Sequence, residues 1–94
     1  MKYRSRVEIL AEILEIANGN NVNISKIIRY SNTPYELLKQ HLSQLISNGL
    51  LEYHESQRTY RTGYRGVYFV SKYNQMKGLM TISAKRVVSG ANKR

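Results

Sequence analysis

Residues 23–55 read NISKIIRYSNTPYELLKQHLSQLISNGLLEYHE, and the fold turns on how this stretch divides. Ile24, Ile27 and Ile28 recur at helical spacing in a segment running from Val22 to Ser31. Tyr30-Ser31-Asn32 then makes a turn, because Asn32 tolerates a left-handed backbone that most side chains refuse. The next helix opens on Thr33-Pro34-Tyr35-Glu36. The Thr33 hydroxyl can accept from the Glu36 amide while the Glu36 carboxylate accepts from the Thr33 N–H, and Pro34 takes the first helical position, where a missing donor is harmless. Asn48-Gly49 supplies a left-handed stop. Leu50 to Glu55 then alternates like a strand, and Arg58 to Thr62 can return antiparallel to it around Ser56-Gln57, with Tyr53 and Tyr60 paired across the strands. A short helix, a break, a second helix and a hairpin predict a helix-turn-helix followed by a wing.

Upstream, Ser5-Arg6-Val7-Glu8 forms a second capping box and Asn18-Gly19 ends the helix it starts. Val7, Leu10, Ile13, Leu14 and Ala17 form its apolar stripe, widened by Ile9 and Ile16. Glu8, Glu12 and Glu15 lie off that stripe and are expected to form a solvated face. Downstream, Phe69, Tyr73, Met76, Met80, Ser83 and Val87 step by four and three residues, the spacing of a coiled-coil seam. That spacing outweighs the strand-like look of Val67 to Val70 and predicts a last helix from about residue 65 to the mid-eighties. Its seam is read as a dimerisation surface, with packing back on the domain as the alternative.

The fold expected is mainly α with a small β-hairpin (α+β): a winged helix-turn-helix domain over residues 1–64, a C-terminal dimerisation helix over 65–88 and a basic tail over 89–94.

The net charge of the 94 residues is +9, with six glutamates and no aspartate. Residues 1–50 carry net +2 and residues 51–94 net +7, so the wing and C-terminal arm hold most of the excess. Such a distribution steers association with a polyanion. The chain has no cysteine, which excludes disulfides, thiolate metal sites and cysteine nucleophiles. No apolar run reaches the length of a membrane span and no secretory signal opens the chain, so a cytoplasmic, nucleoid-associated protein without membrane contact is expected.

On the third helix, Leu38, Leu42, Leu45 and Ile46 are expected inside, while Glu36, Gln40 and Ser43 face outward with Lys39 and Gln44 on the flanks. Gln and Lys side chains there suit base edges in a major groove. Lys26, Arg29 and Thr33 are placed to meet phosphate, and Arg58 and Arg61 extend the footprint from the wing. His41 and His54 have no partners that would make a triad or a metal site, and Gly63 and Gly66 make no phosphate loop. An enzyme is therefore not expected, nor a cofactor or metal.

The chain resembles the archaeal winged helix-turn-helix regulators over roughly residues 4–82. The resemblance rests on Asn32-Thr33-Pro34-Tyr35 with Leu38, Leu42 and Leu45, on Asn48 to Tyr53, on Arg58 to Thr62, and on Gly66 with Phe69-Val70 and Tyr73. In place of that group's usual acidic-and-lysine run after the second wing strand stands Thr62-Gly63-Tyr64-Arg65. The resemblance implies a small homodimer joined through its C-terminal helix that binds double-stranded DNA, as a transcriptional regulator or an architectural chromatin protein. The alternative is a winged-helix protein-interaction module in a transcription or replication assembly, docking through Tyr64, Tyr68 and the C-terminal seam.

Overall fold

The computed structural model describes residues 4–89, with side chains described through residue 79. The elements run α1 (Arg6–Ile16), α2 (Ile24–Ser31), α3 (Tyr35–Ser47), β1 (Leu51–His54), β2 (Thr59–Thr62) and α4 (Tyr64–Ser89). Three helices, an antiparallel hairpin and a long last helix make the expected α+β winged fold.

Local sequence chemistry explains most boundaries. Ser5 caps α1 in a full capping box: its hydroxyl accepts from the Glu8 amide at 3.1 Å, and the Glu8 carboxylate accepts from the Ser5 N–H at 2.9 Å. Asn23 caps α2 by accepting from the Lys26 amide at 2.9 Å. Asn32 ends that helix with φ +53°, the left-handed stop its identity suggests. At the end of α3, Gly49 has φ +76°; its N–H donates to Ile46 and the Leu50 N–H donates to Leu45, which together satisfy two of the last helical carbonyls.

The start of α3 differs from expectation. Pro34, not Thr33, occupies the capping position, and no side chain caps the helix. Thr33 is only 2% exposed, and its hydroxyl donates instead to the Ser31 carbonyl at 3.1 Å. Burial of the turn against α1 outcompetes the local capping box. Val22 also departs from the expected helix: it pairs with Tyr60 through hydrogen bonds of 2.9 and 2.7 Å, adding one rung to the edge of the hairpin.

The core gathers Ile13 and Leu14 from α1 with Ala17 at its end, Val22 from the loop that follows, Ile27 from α2, Leu38, Leu42 and Leu45 from α3, Leu51 from β1 and Val70 from α4. Val7 and Ile46, expected inside, are exposed; Ala11 and His41 are buried in their helices instead. Phe69 packs against the core from α4. The hairpin pairs Leu51 with Thr62, Glu52 with Arg61, Tyr53 with Tyr60 and His54 with Thr59. The wing is fastened by Thr62, whose N–H donates to Ala17 O at 3.0 Å and whose hydroxyl donates to Leu14 O at 2.6 Å.

Helix α4 crosses this junction at Gly66. A Cβ there would lie 2.5 Å from Thr62 Cγ2 and inside the contact distance of the Leu50 carbonyl oxygen. Backbone cannot yield as a side chain can, so Gly66→Ala should destabilise the fold by roughly 3 kcal/mol, the upper end of overpacking costs. Thermal or denaturant unfolding of this variant beside Gly78→Ala, whose Cβ meets open space, checks the expectation. Gly78→Ala should be neutral or stabilising.

Candidate nucleic-acid interface

Two surfaces frame the candidate interface. The first is the outer side of α3, where Glu36, Lys39, Gln40, Ser43 and Ser47 are exposed along the helix. Glu36 and Lys39 face each other at 4.0 Å, an exposed pair that adds little stability and leaves both side chains free to reorient. Lys39 also stands 5.2 Å from the centre of the Tyr35 ring. The second surface is the wing tip. Residues 55–58 turn through hydrogen bonds from the Gln57 N–H to His54 O and from the Arg58 N–H to Glu55 O, both 3.2 Å. Arg58 closes the turn in a left-handed conformation, φ +55°, and is exposed. The Asn21 side chain donates to Gln57 Oε1 at 3.0 Å, tying the tip to the α1–α2 loop.

Lys26 and Arg29 are exposed on α2, as a phosphate contact requires. Thr33 is not: buried and bonded to Ser31, its hydroxyl has no route to a phosphate unless the turn rearranges. Arg61 is exposed but lies opposite Glu52 in the ladder, so it shares the hairpin face of Glu52 rather than that of Tyr53 and Tyr60. Gln44 is half-buried, and its amide oxygen accepts from the Arg6 guanidinium.

Arg4 and Arg6 are the functional surprises of the N-terminus. Arg4 pairs with Glu12 and donates to Ser31 O at 2.8 Å and Asn32 O at 3.3 Å, clamping the α2–α3 turn onto α1. Its bonds span 27 and 28 residues, a separation that no local pattern reports. The glutamates expected to face water are therefore engaged: Glu8 in the capping box, Glu12 with Arg4, and Glu15 with the Asn74 side chain at 3.0 Å. That face of α1 is where α4 packs, with Tyr73 half-buried beside it.

The seam of α4 thus divides. Phe69 and Tyr73 turn toward the domain itself, whereas Met76 is 56% exposed. The side chains of Met80, Ser83 and Val87 lie outside the described residues, as do residues 90–94 of the expected tail. No group of three or more His, Asp or Glu that could hold a metal ion occurs among the described residues. No described helix is long and apolar enough to cross a membrane.

A family model described as winged helix-turn-helix matches residues 3–81. The chain belongs to that family. Among solved structures, this winged-helix chain is similar to that of Sso10a-2, a DNA-binding protein from Sulfolobus solfataricus, with a TM-score of 0.74 and 17% sequence identity over 97% of this chain and 100% of that one. At that identity the likeness is one of fold. No curated protein sequence matches the chain.

Within the winged helix, α2 and α3 are the helix-turn-helix and the β1–β2 hairpin is the wing. His41 lies on the buried side of α3, 6% exposed, with neither ring nitrogen hydrogen-bonded. Burial, and secondarily the positive charge of Arg6, lower its pKa below 6.5. The unfolded chain therefore binds a proton that the folded chain resists, and stability falls as pH drops through and below about 6.5, reaching its floor below the lowered folded value. His41→Leu should remove this part of the acid sensitivity. Melting temperatures of both proteins between pH 7.5 and about pH 5 measure it; a parallel decline in the two would exclude His41 as the cause.

Proposed function

We propose that the protein binds double-stranded DNA, with the outer face of α3 in the major groove and the wing tip against the adjacent backbone. The observation that carries this reading is the exposed face of Glu36, Lys39, Gln40 and Ser43 on the second helix of a helix-turn-helix, with Arg58 exposed at the tip of the wing. Lys39 and Gln40 offer donors to base edges, and Gln44, held by Arg6, adds its amide nitrogen at the flank. Lys26, Arg29 and Arg58 supply phosphate contacts, and Arg61 contributes charge from the outer face of the hairpin. The DNA-binding description of Sso10a-2 and the net charge of +9 support the same partner.

The protein acts as a homodimer joined through the distal part of α4. That helix has 26 residues, about 39 Å at 1.5 Å per residue, and one side of its first turns already packs on the domain through Phe69 and Val70. Met76 and Leu79, 56% and 63% exposed, are an apolar edge that a second copy would cover, and the sequence carries the four- and three-residue spacing of Met76 on to Met80, Ser83 and Val87. Two recognition helices per particle fit a regulator of transcription at a palindromic site, or an architectural protein of the nucleoid.

Selection from a random duplex pool at several salt concentrations tests the reading. Salt-sensitive binding with an enriched, palindromic motif supports a dimeric regulator, salt-sensitive binding without enrichment an architectural protein, and no binding at low salt refutes it. Lys39→Ala should change the preferred sequence, while Arg58→Ala should weaken all duplexes alike and reduce the slope of log affinity against log salt by about one.

A second reading has its own observation. Tyr64 and Tyr68 are 86% and 64% exposed on α4 and, with Leu50, Arg65, Phe69 and Lys72, border an apolar recess of about 480 Å³. Such a patch suits a protein partner. Loss of partner binding in Tyr68→Ala without loss of DNA binding would separate the two roles.

A further inference from the structure

Tyr53 and Tyr60 lie on the same face of the hairpin, their ring centres 4.8 Å apart at 44°. Burial raises the pKa of Tyr60, and the phenols of Tyr53 and Tyr35 raise it further, so Tyr35, the first residue of α3, adds a third ring on the side of the domain that carries the hairpin pair. This is not a sealed core. Tyr35 is 49% exposed and Tyr53 43%, while Tyr60 is half-buried at their base. A lysine accompanies the surface ring, with Lys39 Nζ 5.2 Å from the centre of Tyr35. The same pairing recurs on α2, where Lys26 stands 5.9 Å from the ring of Tyr30, itself 60% exposed.

A tyrosine face with an ammonium four residues away on the same helix matches one nucleotide unit, the base stacking on the ring and the phosphate meeting the cation. Duplex DNA cannot use the ring faces, because its bases are stacked on each other and offer only their edges. Unpaired bases can. The charge of the surroundings, with Lys26, Lys39 and Arg58 exposed and a net charge of +9, favours a polyanion over an apolar protein partner.

We propose that the tyrosine face between α3 and the wing, centred on Tyr35 and Tyr53, binds unpaired nucleobases and gives the protein an affinity for single-stranded nucleic acid. The site shares Lys39 with the proposed duplex-binding face, but its ring-to-base contacts are its own. Where a duplex opens beside the recognition helix, the same rings would hold the exposed bases.

The chain has no tryptophan, so its intrinsic fluorescence reports tyrosine, and stacking on bases quenches it. Titration of the full chain with a short oligothymidylate and, separately, with a mixed-sequence duplex reads the two affinities. Tyr35→Phe keeps the ring and loses the hydroxyl, whereas Tyr35→Leu loses the ring. The Phe variant should retain single-strand affinity, and the Leu variant should lose about tenfold while its duplex affinity stays within about twofold. Equal losses in Phe and Leu would mean that the phenol bonds phosphate, and equal losses for single strand and duplex would mean a shared phosphate surface; either result overturns the proposal, as does an unmodified protein that does not bind oligothymidylate. Tyr53→Leu, the other exposed ring of the face, repeats the comparison should Tyr35→Leu melt early. Duplex binding that fails while single-strand binding persists would refute the proposed function and leave this inference standing.

Discussion

The relative placement of α3 and the wing depends on one crowded junction, where the end of α3, the second strand and the start of α4 meet. Leu50 leaves α3 through the Gly49 turn, and its carbonyl then accepts from the Gly63 N–H at 3.1 Å while the backbone of Gly66 presses against it. Thr62, one residue earlier, bonds to α1 through both its amide and its hydroxyl. Each bond contributes about 1 kcal/mol net, and together they tie the hairpin both to the end of α3 and to α1. A recognition helix and a wing can read one stretch of duplex only if their separation is set before binding, since ordering them on contact would subtract from affinity.

The basic side chains fall into two groups with different tasks. Arg4 and Arg6 are committed internally, the first to Glu12 and the α2–α3 turn, the second to the Gln44 amide. Lys26, Arg29, Lys39 and Arg58 face solvent among the helix-turn-helix and wing residues. These four place available charge along α2, α3 and the wing tip, and Arg61 on the hairpin with Arg65 and Lys72 on α4 add more exposed charge. Helix α4 packs on the domain through Phe69, Val70, Tyr73 and Asn74, and Met76 and Leu79 beyond them are exposed, which separates the proposed DNA face from the proposed dimer edge.

Much of this was legible in the sequence because short-range chemistry governs it. The Ser5 capping box, the left-handed Asn32, the Gly49 stop and the Tyr53–Tyr60 pair each involve residues within a few positions or in simple hairpin register. The strand-like Val67 to Val70 resolved as helix because its longer-range spacing was helical. What sequence reading missed came from tertiary contact. Thr33 abandons its cap because the turn is buried, Val22 leaves the helix to pair with Tyr60, and Glu12 and Glu15 meet Arg4 and Asn74 across the fold. At the candidate site, residue types and the exposed face of α3 were readable, whereas the coupling of Arg6 to Gln44 was not.

The central claim is that nucleic acid lies against α3 and the wing tip of a preset scaffold. Backbone amide chemical-shift mapping on titration with duplex DNA tests this most directly. The account predicts perturbations concentrated at residues 26–44 and 55–61, with the junction around Thr62 to Gly66 unmoved. Perturbations centred on Tyr64, Tyr68 and Lys72 instead, or spread through the junction as the hairpin repositions, would contradict it.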